Sequence, residues 1–372
     1  MKRSCAFFLA RPGLLRPRRT HCARHRRAIA STVPVVSGVS VTMPAALARA
    51  AIPLEHNALA PAGIQAEHIV RLWHLTLVVC GIVFAAVLVG VLFALLRRRT
   101  AQRPQPPDLS GNVKPERRAQ RAVVGVSVLS VVLLVGLVVA DVLTDRALSK
   151  LPVADALHIQ LTGWQWWWQA RYPADHGRPA FATANELHVP VGRPVVVALG
   201  AGDVIHSFWV PSLHGKKDLL PGITSTIEFR ADRAGVYDGP CAEFCGAEHA
   251  LMALRVVAEP ADRYAAWAAA QTATAAAPAD AVAAHGMQVF ESSACASCHT
   301  VRGTHAVGLL GPDLTHLMTR QTLAAGALAN NAANLSRWIR DPNSVKPGTT
   351  MPAVRLSTPD LQALVVWLTT LK

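Results

Sequence analysis

Two runs of this chain, 72–96 and 122–139, contain no Lys, Arg, Asp or Glu. Nothing else in the 372 residues restricts the fold as tightly. A backbone in lipid must satisfy every N–H and C=O internally, which leaves helices or closed barrels. At about 1.5 Å per residue the first run is roughly 37 Å long, enough to cross a bilayer with some tilt. Arg97, Arg98 and Arg99 close it; Arg117, Arg118 and Arg121 precede the second run, and Asp141 follows it. Buried helices of a soluble protein are the plainer alternative. Two arginine-flanked runs in succession instead predict a membrane hairpin within 56–149, with helices over 72–96 and 122–142. The intervening segment also carries Arg103 and Lys114, a basic excess that marks the cytoplasmic side. Both ends of the hairpin then face the periplasm or the cell exterior.

The formal charge of +14 invites a nucleic-acid reading until it is located. Residues 1–149 hold 20 Lys and Arg against 6 Asp and Glu, whereas 150–372 hold 17 of each. The excess therefore belongs to the leader and the membrane flanks, and no nucleic-acid partner is expected. Residues 1–55 read as an Arg-rich leader with a signal peptide: Arg24, Arg26 and Arg27, a small apolar stretch over 28–41, and Ala46-Leu-Ala as the cleavage pattern.

From about Lys150 the pattern changes to short β-type runs, among them 156–162, 186–191, 194–200, 224–230 and 251–257, with Gly and Pro between them. Several short strands at this spacing predict an all-β sandwich or barrel over 150–262. An Ala-rich stretch, 263–280, reads as a tether to a further domain over 281–372.

The strand domain contains Pro-Cys-Ala-Glu-Phe-Cys-Gly-Ala-Glu-His-Ala-Leu-Met over 240–252. This places two thiols, an imidazole and a thioether within one loop, and His206 supplies a second imidazole upstream. Soft sulfur with imidazole suits copper or zinc rather than magnesium or calcium. A blue-copper set would use one Cys, and this loop has two. A disulfide, a thiol relay and structural zinc remain alternatives on the cysteines alone. Zinc, however, has no use for Met252, and a disulfide has no use for His206, His249 or Met252.

The last domain opens with Cys295-Ala-Ser-Cys298-His299, the attachment pattern of c-type haem, in which two thiols add to vinyl groups and the His ligates iron. Gly311-Pro-Asp-Leu follows, and Gly348-Thr-Thr-Met351-Pro offers a sulfur ligand that raises the potential and suits electron transfer. The helical segments 281–292 and 359–371 resemble the first and last helices of class I cytochromes c, which cross. His158, His188, His214, His285, His305 and His316 read as surface residues rather than ligands. Cys5, Cys22 and Cys80 imply no disulfide framework.

His206-Ser-Phe-Trp-Val-Pro followed by Cys-Ala-Glu-Phe-Cys-Gly-x-x-His-x-x-Met resembles subunit II of the haem–copper cytochrome c oxidases. With the cytochrome, the likeness is to the caa-type, whose donor cytochrome is fused to the subunit. The resemblance implies a two-helix transmembrane hairpin, an all-β cupredoxin (Greek-key) domain and an all-α class I cytochrome c domain. It implies a dinuclear copper centre, CuA, held by His206, Cys241, Cys245, His249 and Met252 with the carbonyl of Glu243. The Glu243 carboxylate would face a magnesium or manganese ion shared with subunit I.

Gln165-Trp166-Trp167-Trp168 matches the family's Gln-Trp-x-Trp, which implies that electrons reach the copper through Trp166; Trp164 and Trp168 read as packing. Asp203 and Asp218 fall at positions that would face subunit I. Ile223 departs from the basic residue usual after Pro221-Gly. The implied function is electron input, from cytochrome c or another upstream donor through covalent haem c and CuA to subunit I. There oxygen is reduced to water with proton pumping, in a complex with subunits I and III in the bacterial inner membrane, both redox domains lying on the periplasmic side. A CuA-bearing subunit of a nitric oxide reductase and a membrane-anchored copper-binding protein are the alternatives.

Overall fold

The computed structural model of the protein describes residues 56–100, 113–175 and 177–372. The expected leader and signal peptide, and Arg103 of the basic segment, lie outside the described residues. Two long helices come first, α1 (Ile64–Thr100) and α2 (Val113–Leu148). They extend the expected spans at both ends, and none of their most apolar window is buried within the chain. Phe84, Phe93, Leu134 and Leu143 are among the many large apolar side chains they leave exposed. Water would not tolerate so large an apolar surface, and a bilayer covers it.

The foot of α1 is fastened to the domain that follows. Ala62 N–H donates to Ser212 O at 2.7 Å, Asp232 N–H donates to Ala62 O at 2.8 Å, and Gln65 and Ala66 are buried. Gly63 bridges to Ala231, and a Cβ there would strike the carbonyl of Arg230.

Strand β1 (Leu157–Trp164) shows the period of two: Leu157, Ile159 and Leu161 are buried, while His158 and Gln160 face out. Each such fully buried aliphatic side chain contributes about 1.5–3 kcal/mol. β1 pairs antiparallel with β2 (Trp167–Tyr172) and parallel with β5 (Val195–Ala201). β3 (Phe181–Ala184) and β8 (Ser225–Phe229) complete a sheet ordered β3-β2-β1-β5-β8. A second sheet is ordered β4-β10-β9, from β4 (Glu186–Pro190), β9 (Gly235–Pro240) and β10 (Ala253–Glu259).

The chain passes from the first sheet to the second at Asn185. Its φ of 64° is one that Asn tolerates, and its Oδ1 accepts from Trp168 N–H at 2.9 Å. A short pair, β6 (His206–Phe208) and β7 (Lys217–Leu219), lies apart from both sheets. The five expected strands are β1, β4, β5, β8 and β10, displaced by two residues at most.

Helix α3 (Ala261–Ala270) leads out of the strand domain, and Trp267 on it stacks on His188 with ring centroids 4.0 Å apart. The stretch expected to act as a tether is hydrogen-bonded instead. Arg302 donates to Gln271 O at 2.5 Å and to Thr272 O at 3.2 Å, and Ala275 N–H donates to Arg302 O at 2.8 Å. Alanine-rich composition signals no directional contact, but the backbone of such a segment still offers donors and acceptors.

The last domain holds α4 (Ala281–Ser292), α5 (Cys295–Cys298), α6 (Ala332–Arg340) and α7 (Thr358–Leu368), with a small hairpin of β11 (Thr322–Leu323) and β12 (Leu328–Ala329). Asp280 caps α4 by accepting from Ala283 N–H at 2.7 Å. As the sequence predicts, the first and last of these helices pack on one another. They meet at Gly286, where a Cβ would strike the Ala363 carbonyl, and Phe290 lies 5.2 Å from Trp367 between ring centroids. Two of the histidines read as surface residues are buried. His188 lies in the Trp267 stack with Glu259 2.9 Å from its Nδ1, and His316 sits between the carbonyls of Lys372 and Ala273 at 2.8 and 3.1 Å. Each ring is buried by long-range packing, which a lone His in a sequence does not announce.

Candidate redox centres

Antiparallel β9 and β10 are joined by the loop 241–252, closed at its base by Cys241 N–H donating to Met252 O at 2.8 Å. The closure brings the first and last sulfur of the loop together. Ala242 N–H donates to Ser207 O at 3.1 Å, which draws the loop against β6 and so against His206. Cys245 precedes Gly246, whose φ of 112° favours glycine.

Among the described residues, the ligand atoms of His206, Cys241 and Cys245 all lie within 4.8 Å of one another. Cys241 Sγ is 3.9 Å from Cys245 Sγ and 4.0 Å from His206 Nδ1. Cys245 Sγ is 3.7 Å from His249 Nδ1 and 3.8 Å from Met252 Sδ. The Glu243 carbonyl oxygen is 3.3 Å from Cys241 Sγ. The sequence-predicted copper residues therefore converge. Both cysteines are free and buried, and their separation is far beyond the roughly 2.05 Å of a disulfide.

The electrostatics match a soft cation. Hydrogen bonding with Cys245, opposed by burial, holds the Cys241 thiol well below the usual thiol range, while the same contact and burial push Cys245 up. The pair thus shares a proton that a metal would replace. Burial disfavours charge on His206, but hydrogen bonds with Cys241 and Asp203 outweigh it and raise its proton affinity. Two buried sulfurs flanked by imidazoles and a thioether fit copper by donor chemistry.

Sequence reasoning singled out Asp203 and Trp166 but not the contacts by which they hold these residues. Asp203 Oδ1 lies 2.9 Å from His206 Nε2, leaving Nδ1 turned to the sulfur. Gln165 N–H donates to Asp203 Oδ2 at 2.6 Å, and its side-chain Nε2 donates to Cys245 O at 2.8 Å. Trp166 Nε1 donates to the same carbonyl at 2.9 Å. Gly163 leaves room for the imidazole: a Cβ there would lie 2.7 Å from His206 Cδ2. The carboxylate of Glu243 lies 3.5 Å from Lys216 Nζ.

The haem-type residues line a cavity of about 370 Å³. Cys295 and Cys298 stand on one turn of helix, with His299 immediately after it and Met351 in the wall. His299 Nδ1 lies 2.8 Å from Pro312 O, which leaves Nε2 free. Burial lowers the proton affinity of this imidazole, so it is held in the neutral form that ligates iron. Gly311 admits the ring, since a Cβ there would be 2.6 Å from His299 Cε1. Phe290, Leu314, Leu364 and Leu368 make the wall apolar. Buried Arg320 adds a cation whose Nε has no hydrogen-bond partner among the described residues, a place for an anionic edge. An apolar slot with two thiols, a neutral imidazole, a thioether and one guanidinium fits haem c.

Comparison with known proteins agrees. Residues 175–259 match the family "Cytochrome C oxidase subunit II, periplasmic domain" and residues 283–372 match "Cytochrome c". These two domains imply copper and haem c. Cytochrome c oxidase subunit 2 of Alkalihalophilus pseudofirmus is 38% identical over 325 residues, covering 85% of this chain and 91% of the relative. That of a Bacillus species is 33% identical over 295 residues, covering 74% and 79%. The Bacillus subtilis protein is 29% identical over 337 residues, covering 85% and 92%. With identity at that level running through more than four-fifths of its length, the chain belongs to the cytochrome c oxidase subunit 2 family.

Proposed function

We propose that this chain is the electron-input subunit of an aerobic terminal oxidase and that its copper is the dinuclear CuA centre. His206, Cys241, Cys245, His249, Met252 and the Glu243 carbonyl would hold the copper. Cys295 and Cys298 would bind haem c covalently, and His299 and Met351 would offer a nitrogen and a sulfur to its iron. The observation that carries the reading is the mutual approach of two buried, unbridged thiols with imidazole and thioether donors at 3.7–4.0 Å. When bound, the two groups supply one-electron transfer without proton or bond chemistry.

The protein's own part is to hold and shield. Asp203 fixes the ring of His206, while Gln165 and Trp166 fix the Cys245 carbonyl. Pro312 O fixes the tautomer and plane of His299. Trp166 also stands in the wall of the haem cavity, so one indole touches both sites. The chain would take electrons from cytochrome c or another upstream donor and pass them to subunit I, where oxygen is reduced to water with proton pumping. Subunits I and III are the proposed partners, and the bacterial inner membrane the proposed location, with both redox domains on the periplasmic side. The Glu243 carboxylate is the proposed ligand for a magnesium or manganese ion shared with subunit I, an ion that would displace the Lys216 ammonium. No observation favours a nitric oxide reductase subunit or a copper-delivery protein.

Electron paramagnetic resonance and optical spectra of the purified complex test the assignment. The expected result is a hyperfine pattern from one electron shared by two coppers, beside a low-spin c-type haem. A single-copper pattern would remove the CuA assignment.

A further inference from the structure

The haem cavity is not closed by its own domain. Trp166, Trp167 and Asn185, all from the strand domain, complete its wall. On either side of this seam a charged side chain is buried across the domain boundary, one from each partner. Glu186, at the start of β4, is 2% exposed and accepts from the N–H groups of Gln321 at 2.7 Å and Thr322 at 3.1 Å. Lys346, from the haem domain, is also 2% exposed and donates to Trp166 O at 2.9 Å.

Further hydrogen bonds follow the same seam. Ala253 N–H donates to Ala325 O at 2.9 Å, Arg255 donates to Gln321 Oε1 at 3.1 Å, and Thr350 Oγ1 donates to Gln165 O at 3.4 Å. A buried charge adds little stability for its cost in desolvation, but it penalises every arrangement that leaves it unpaired. Two such groups, reciprocally placed, define a single docking register.

We infer that Lys346 and Glu186 are positioning residues which hold the haem domain docked against the strand domain, with Trp166 and Trp167 closing the haem cavity. The chain then works as one rigid electron path rather than as a cytochrome swinging on a tether. A docked domain needs no search, whereas a tethered one reacts only in the fraction of time it is seated. The reading rests on the two redox-centre assignments above. In the step it governs, one electron leaves the haem and one arrives at the copper centre, with no bond made and no proton moved.

Hydrogen exchange of the full chain in the assembled oxidase tests docking without reference to either redox centre. The Gln321 and Thr322 amides should exchange as slowly as those of β10; exchange at the rate of an exposed loop overturns the inference. Flash photoreduction of the haem then tests the positioning role. Lys346→Met and Glu186→Ala should each slow haem-to-copper transfer by about tenfold, in proportion to the docked fraction, and make it depend on solvent viscosity. In the Glu186 variants the haem spectrum, its midpoint potential and the copper resonance should stay as they are; Lys346 lines the haem cavity, so its variant is judged on amide exchange and viscosity dependence. Glu186→Gln keeps an acceptor oxygen and should restore the rate. Transfer unchanged in rate and independent of viscosity overturns the inference. Should Lys346→Met fail to retain haem, the Glu186 variants decide it alone. Loss of the copper pattern with slow amide exchange intact would instead count against the copper assignment.

Discussion

The strand domain and the helical domain prepare for their redox groups in opposite ways. The proposed copper ligands already approach one another, Sγ to Sγ and Sγ to Nδ1, inside a core that includes Cys241, Cys245 and Met252. The haem ligands instead surround a hollow of about 370 Å³. A metal pair can be added to a loop that is already folded, because its ligands are held by backbone hydrogen bonds to β6 and by the β9–β10 hairpin. A haem would instead fill a hollow beside a core that the helices already share, Phe290, Leu364 and Trp367 among it. The contrast predicts that the helical domain depends on haem for its stability more than the strand domain depends on copper.

The strongest way to break this comparison is to withhold each group in turn. A Cys295→Ser/Cys298→Ser variant would leave the hollow of about 370 Å³ without its filling and should cost the domain a large share of its stability. Calorimetry and limited proteolysis should find residues 281–372 unfolded while the strand transition persists. A cooperative helical transition of normal size would refute the dependence.

Chelation of copper should have a smaller effect. The strand domain loses only binding free energy, about 4 kcal/mol at a thousandfold excess over the dissociation constant. Its circular dichroism should be unchanged, and collapse of the sheets would remove the contrast.

Two further variants sharpen the copper side. Gly163→Ala would press a methyl group on the His206 ring and should cost about 1–3 kcal/mol, with an altered copper resonance as its specific sign. An unaltered resonance would mean the ring has room to move. Asp203→Asn keeps a hydrogen-bonding group beside Nε2 but removes the charge. It should weaken copper binding by about tenfold, roughly 1.4 kcal/mol. Competition with a chelator measures this, and equal affinity would show that Asp203 merely fills space.

Much of this protein was legible in sequence because its chemistry is local. Cys295, Cys298 and His299 must lie on one turn for two thioether bonds and one iron ligand to meet one haem. Cys241, Cys245, His249 and Met252 must likewise sit on one short loop. The strand positions were legible from alternation, as at Leu157, Ile159 and Leu161.

The shell around the sites was not. The sequence placed Asp203 only at a position facing subunit I and gave Lys346 no role, since nothing near either of them names its partner. Lys346 meets Trp166 across 180 residues of chain, and Glu186 meets Gln321 across 135. His188, His316 and the stretch 271–275 escaped for the same reason.

The sequence by itself therefore determined the membrane hairpin, the succession of domains and the ligand atoms offered to each redox group. These depend on hydrophobic runs, periodicity and covalent spacing, all of which act over a turn or a strand. Only the tertiary structure decided that the Ala-rich stretch is fastened down, that Asp203 stands behind His206, and that the strand domain closes the haem cavity with Trp166 and Trp167. Those features are contacts between surfaces brought together by folding, and their energies depend on burial and distance that no local pattern encodes.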